Sequence, residues 1–214
     1  MSVINIASYI DHTLLKPTAT HIDINKICNE ALVYGFAAVC VPPPLVRTAA
    51  ATAHPAIKVA TVIGFPFGYS ATAAKLAEVE QAIADGADEL DIVINLVALK
   101  EGYWDRLEEE MSILTRRIHA SGKIVKVIIE SGILTDEEIV KCCGIYSRVG
   151  VDFLKTSTGY AEKGASLAAV RLMRGHLPAR IKIKASGGYG IMDLRLRWWR
   201  PGQRGWGVVR VWRL

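Results

Sequence analysis

The sequence predicts an α/β fold in which a parallel sheet is covered by helices and closed into a barrel. Three observations predict it. Seven short, β-branched, apolar runs alternate with longer stretches of helical spacing. The runs read as near-continuous apolar segments, the pattern of strands buried on both faces. No GxGxxG follows the first run, which disfavours a dinucleotide-binding open sheet, and polar residues sit at strand ends as they do in barrels. An open doubly wound sheet is the alternative architecture.

The seven runs are Tyr9–Leu15, Phe36–Val41, Ile57–Gly64, Glu89–Asn95, Lys123–Glu130, Val151–Thr156 and Ile181–Ala185. Three of the intervening stretches carry a clear helical register. In Thr72–Asp85, Leu76, Val79 and Ile83 share a face; in Tyr103–His119, Leu107, Met111, Leu114 and Ile118 do. Thr135–Val149 opens with Thr135 and Glu138, the spacing of a capping box. Gly35, Gly86, Gly122 and Gly150 each stand between a helix and the next run, where they end the helix.

With 214 residues and 51% hydrophobic composition, the chain supports one sizeable core and is short for two domains. No apolar run approaches the ~20 residues of a spanning helix. The opening stretch lacks the basic and apolar regions of a signal peptide, so a cytoplasmic protein is expected. Cys28, Cys40, Cys142 and Cys143 have no CxxC spacing and read as reduced thiols, with no zinc site. The histidines show no metal spacing; His119 and His176 read as helix-surface residues.

Charge is unevenly placed. Residues 189–214 hold six arginines, one acid and four of the five tryptophans, and so account for the whole net charge of +5. A basic, aromatic stretch of this kind can contact phosphates and bases or acidic membranes.

Charged residues inside buried strands are the informative feature, because isolated burial of charge is costly. Asp91 in ELDIVIN, Lys155 in DFLKTSTG and Lys184 in IKIKASGG stand out. On neighbouring strands, about 4.8 Å apart, Lys155 and Lys184 disfavour each other's protonated form, and desolvation acts the same way. One of them is then a neutral amine able to attack a carbonyl, with Asp91 moving protons. Lys126 and Glu130 read as a structural ion pair, and Lys182 has no assigned role. Cys40 reads as a small core residue. Thr158-Gly159 and Ser186-Gly187-Gly188 follow the last two strands, where backbone N–H groups can cradle a phosphate.

Together these segments resemble the deoxyribose-phosphate aldolases, from IDHTLLKP through AAVCVPP, ATVIGFPFG, GADELDIVIN, KVIIESG and DFLKTSTG to KIKASGG ending at Gly188. The resemblance implies a (β/α)8 barrel that cleaves 2-deoxy-D-ribose 5-phosphate reversibly to D-glyceraldehyde 3-phosphate and acetaldehyde. It makes Lys155 the Schiff-base lysine, Lys184 its perturbing neighbour and Asp91 the proton-relay acid. Asp11, Thr13 and Cys40 match positions near the substrate pocket, and Thr158, Gly159, Gly187 and Gly188, at the strand ends, are the substrate-phosphate candidates. It implies no metal and no organic cofactor, a phosphorylated sugar as the partner, and neither nucleic acid nor membrane; a homodimer is the assembly to test. Two strings depart from the family pattern: YAEKGAS after KTSTG, and Val97 in INLVALK where glycine is usual, which affects the start of a helix.

The resemblance stops at Gly188, which divides the chain into a barrel part, 1–188, lacking its last strand and helices, and an aberrant tail, 189–214. Trp198-Trp199 is encoded only by TGGTGG; read one base earlier, those bases permit a Leu, Val or Met followed by Val. Extended over all 26 positions, the shifted frame permits a helix, a glycine stop and a glycine-rich strand end of the family's kind. A one-base deletion near the Gly188 codon is the expected origin. The competing reading is an inactive barrel fragment whose Arg/Trp tail binds nucleic acid or acidic surfaces.

Overall fold

The computed structural model describes residues 5–187. All seven expected strands are present: β1 (Asp11–Thr13), β2 (Ala38–Val41), β3 (Lys58–Ile63), β4 (Glu89–Val93), β5 (Ile124–Ile128), β6 (Phe153–Lys155) and β7 (Lys182–Lys184). They are parallel and hydrogen-bonded in chain order. The helices are α1 (His21–Tyr34), α2 (Val46–Ala53), α3 (Thr72–Ala84), α4 (Leu96–Lys100), α5 (Trp104–Ala120), α6 (Asp136–Val149) and α7 (Leu167–His176). Among them α1 packs on α2, α3 on α5, α5 on α6 and α6 on α7.

Barrel curvature follows from one contact. In a flat sheet β1 and β7 would lie roughly 29 Å apart, six strand spacings. Yet Lys184 on β7 hydrogen-bonds Asp11 on β1, so the sheet curls until its first and last described strands face each other. That excludes the open doubly wound alternative. The expected loss of the eighth strand concerns residues outside the described ones, as does Gly188.

Strand alternation separates two interiors. Outward side chains such as Val39, Val59, Leu90, Ile92, Val125, Val127, Leu154 and Ile183 form one core with Ile24, Val79, Met111, Leu114, Ile139 and Met173 of the helices. Each such side chain, fully buried, contributes about 1.5–3 kcal/mol. Inward, a small apolar set of Cys40, Ala60 and Val62 meets Leu15 and Phe65. On β4 to β7 the inward face carries Glu89, Asp91, Lys126, Lys155 and Lys184, so the near-continuous apolar pattern expected of every strand is corrected there. A narrow barrel accepts these lysines because their stems are apolar and their ammonium groups pair with carboxylates.

Local signals explain the helices. Thr135 Oγ1 accepts the Glu138 N–H (3.2 Å) while Glu138 accepts the Thr135 N–H (2.9 Å), the expected capping box. Thr20 and Asp23 make a second box at α1, which the sequence reading did not mark. Gly35 (φ 65°) and Gly150 (φ 80°) end α1 and α6 in the left-handed region, where a side chain is strained. Val97, in place of the usual glycine, leaves α4 intact: Asn95 accepts the Ala98 N–H (3.0 Å) and Val97 faces outward. The buried Lys75 of α3 donates to Val93 O (2.9 Å) and Glu110 (2.7 Å), anchoring the end of the strand that carries Asp91.

Candidate active site

Parallel register brings the predicted lysines side by side. Lys155 is paired with Lys184, Asp91 with Lys126, and Ile128 with Lys155. Asp91 is the hub: its Oδ2 accepts from Lys155 Nζ (2.6 Å) and Lys184 Nζ (3.0 Å), and its Oδ1 from Lys126 Nζ (3.1 Å). Asp11 accepts from Lys184 and, at 3.3 Å, from Lys126. Lys126 also pairs with Glu89. All four acids and lysines nearest the centre, Asp91, Lys126, Lys155 and Lys184, are buried.

Electrostatics distinguishes the lysines. Burial pushes Lys155 below the ordinary lysine range; Asp91 opposes this, and the neighbouring Lys184 adds to it, leaving Lys155 lowered. Burial acts likewise on Lys184 and Lys126, but the carboxylates around them outweigh it, Asp11 and Asp91 for the first, Asp11, Asp91 and Glu89 for the second; both end up raised. Burial would raise Asp91, yet the three lysines hold it well below the carboxylate range. Asp11 is likewise lowered, against its burial, by Lys126 and Lys184. Of the three ammonium groups, only Lys155 is thus biased toward the neutral amine. That is the equipment for attack on a carbonyl carbon.

The other expected residues fall around this cluster. Thr13, half-buried, donates its hydroxyl to Asp11 O (3.1 Å). Cys40 lines the inner wall opposite Thr13, and burial pushes its thiol to about 11, so it is not a thiolate nucleophile. Thr158 is held by Glu130, which accepts both its N–H (3.1 Å) and its hydroxyl. Its amide is therefore engaged within the protein. Gly159 (φ 91°) and Gly187 (φ 75°) approach closely at the ends of β6 and β7: a Cβ on Gly187 would lie 3.2 Å from Gly159 Cα. Tyr160 Oη donates to Leu15 O (3.0 Å) and its ring meets Phe65 edge-on, tying this loop to the one after β1.

The expected Lys126–Glu130 pair is corrected. Glu130 lies past the end of β5 with a left-handed backbone (φ 54°), which turns its carboxylate to the β6 loop. Lys126 instead belongs to the inner network. The missed members, Lys126 and Glu89, were readable from alternation: Glu89 and Asp91 share parity in ELDIV, as Lys126 and Ile128 do in IVKVI.

Residues 5–196 match the DeoC/LacD family aldolase profile. The deoxyribose-phosphate aldolase of Thermococcus gammatolerans is 48% identical over 187 residues, 86% of this chain and 83% of its own. Among solved structures, an aldolase designated QR15 superposes with a TM-score of 0.89 at 37% identity, covering 98% of this chain and 92% of its own. The tetrameric deoxyribose phosphate aldolase of Aeropyrum pernix superposes with a TM-score of 0.85 at 31% identity, over 96% and 86%.

Proposed function

The chain belongs to the DeoC/LacD family of aldolases, and from that premise we propose that it cleaves 2-deoxy-D-ribose 5-phosphate reversibly through a Schiff base on Lys155. The chain is an aldolase, a carbon–carbon lyase; the substrate and the covalent route are the proposal. The observation that carries it is the buried Lys155, lowered toward its amine, 2.6 Å from Asp91 and in register with a cationic Lys184. The amine adds to C1 of the open-chain sugar and water leaves, giving an iminium ion. The C3 hydroxyl then gives up its proton as the C2–C3 bond breaks, releasing D-glyceraldehyde 3-phosphate. The enamine left on Lys155 gains a proton at C2, and hydrolysis frees acetaldehyde. Asp91 and Lys184 are the groups proposed to hold and pass these protons. Borohydride trapping of acetaldehyde on the protein tests the route, and aldol cleavage of the sugar phosphate tests the substrate.

The substrate phosphate is proposed to sit over the backbone at Gly159 and Gly187, with Asp11, Thr13 and Cys40 below and Thr158 shaping the loop. Gly187→Ala places a methyl against Gly159 and Gly164 in a left-handed conformation. Strain of about 1–3 kcal/mol moves this segment, so KM for the phosphorylated sugar is expected to rise about tenfold. Acetaldehyde trapping is expected to stay near the wild-type rate; equal losses in both assays would remove the phosphate role.

The boundary at 188 and the shifted frame beyond it remain proposals on the sequence, since the family match extends to residue 196. Resequencing across the Gly188 codon tests them. The restored frame is expected to give a more soluble, higher-melting and more active protein; equal performance of both forms would refute any consequence for folding. Among the described residues no helix is long and apolar enough to cross a membrane. A cytoplasmic setting and a homodimer are proposed alongside, the latter open to light scattering.

A further inference from the structure

Six ionisable groups lie along the barrel axis: Asp11, Glu89 and Asp91 against Lys126, Lys155 and Lys184. When all are ionised the charges cancel. Taking the proton from Lys155 leaves one uncompensated negative charge inside the barrel, which is costly in so buried a place. A proton taken up by one of the carboxylates removes that charge.

Geometry singles out which carboxylate. Asp91 contacts all three lysines and Asp11 contacts two, whereas Glu89 pairs with Lys126 alone. Glu89 is also the first residue of β4, at the N-terminal end of the barrel, and its side chain is 12% exposed where that of Asp91 is 0%. A continuous hydrogen-bonded path joins it to the nucleophile: Lys155 to Asp91 (2.6 Å), Asp91 to Lys126 (3.1 Å), and Lys126 to Glu89.

We propose that Glu89 is the positioning residue for the Lys155 proton, taking one up at the N-terminal end of the barrel whenever Lys155 gives one up. The inference rests on Lys155 being the Schiff-base amine. The Lys155 ammonium and the Glu89 carboxylate become an amine and a carboxylic acid, with no net change in charge. After the amine has added to the aldehyde, the proton returns along the same path to the carbinolamine hydroxyl. The C–O bond breaks, water leaves, and the iminium cation restores the balance. Burial agrees, since it leaves Glu89 above the ordinary glutamate range while Asp11 and Asp91 lie below theirs. The charged groups facing Glu89 are Lys126, Asp11 and Lys184; the charged and titratable groups facing Lys155 are Asp91, Lys184, the neutral Cys40 thiol and, across the loop, Glu130.

Lys155→Met fixes the nucleophile position in an uncharged state and tests where the proton goes. Its infrared spectrum at neutral pH is expected to show a protonated-carboxyl band that vanishes in Lys155→Met/Glu89→Gln. In Glu89→Gln alone, the loss of a carboxylate is expected to move the acid limb of acetaldehyde trapping to lower pH, on the order of one unit. A merely structural role would lower the amplitude without moving the midpoint. An absent band, a band that persists in the double variant, or an unmoved midpoint would overturn the proposal. Failure of the wild-type protein to trap acetaldehyde would instead sink the proposed function, and it leaves the infrared result standing because no substrate is used.

Discussion

Lys155→Ala is expected to abolish covalent capture of acetaldehyde and, with it, cleavage of the sugar phosphate. Two other lysines occupy the same interior, so the prediction depends on what separates them. Lys126 is surrounded by Asp11, Glu89 and Asp91, and Lys184 by Asp11 and Asp91; both are held above the ordinary lysine range and stay ammonium ions, which have no lone pair to offer a carbonyl. Only Lys155 has a single carboxylate partner and a cationic neighbour. Loss of its side chain leaves Asp91 bonded to Lys126 and Lys184, so the carboxylate is not orphaned and the barrel is expected to remain folded. The measurement is intact mass after borohydride reduction with acetaldehyde, beside a melting curve. Mass added at the wild-type rate would show that one of the other two amines is the nucleophile.

What the sequence could say about this site was set by the range of each interaction. Strand and helix order follow from local alternation, and Thr135 with Glu138 announces its own cap; these were legible. The pairing of Lys155 with Lys184 was also legible, because consecutive parallel strands place the last residues of FLK and KIK side by side. Asp11 reaching Lys184 was not: the two are separated by the whole sheet, and only its closure joins them. Lys126 was misread for a related reason. Four residues from Glu130 and of equal parity, it invited a pairing along the strand, but the backbone at Glu130 turns left-handed and sends that carboxylate to Thr158. The charged interior as a whole was obscured because the outward valines, leucines and isoleucines of β4 and β5 dominate the pattern. Burial of charge and the pairing of neighbouring strands singled out Asp91, Lys155 and Lys184 and a neutral amine among the lysines; the resemblance is what made Lys155 that amine.

Lys184→Leu is expected to move the pH dependence of imine formation to higher pH and to cost stability, and the two effects share one cause. Lys184 lowers the proton affinity of Lys155 directly, and it also neutralises part of the charge on Asp11 and Asp91. Leucine removes the first influence and exposes Lys155 to a more negative network, so both changes raise the pKa of Lys155. Imine formation needs the neutral amine; each unit of upward shift therefore lowers the rate at neutral pH about tenfold. Asp11, left with Lys126 alone at 3.3 Å, is an incompletely paired buried carboxylate, and breaking such a pair costs about 3–5 kcal/mol. Part of that cost depends on pH. Asp11 has its folded-state pKa depressed in the native protein, which contributes stability above the unfolded carboxylate pKa and loses it as pH falls through the folded value. Without Lys184 the Asp11 depression shrinks, so the melting difference between variant and wild type is expected to be widest near neutral pH and to narrow in acid. Rate profiles and melting curves across the same pH series check both halves. An unmoved acid limb in a variant that still melts cooperatively would show that Lys184 pairs with the carboxylates without tuning the amine beside it.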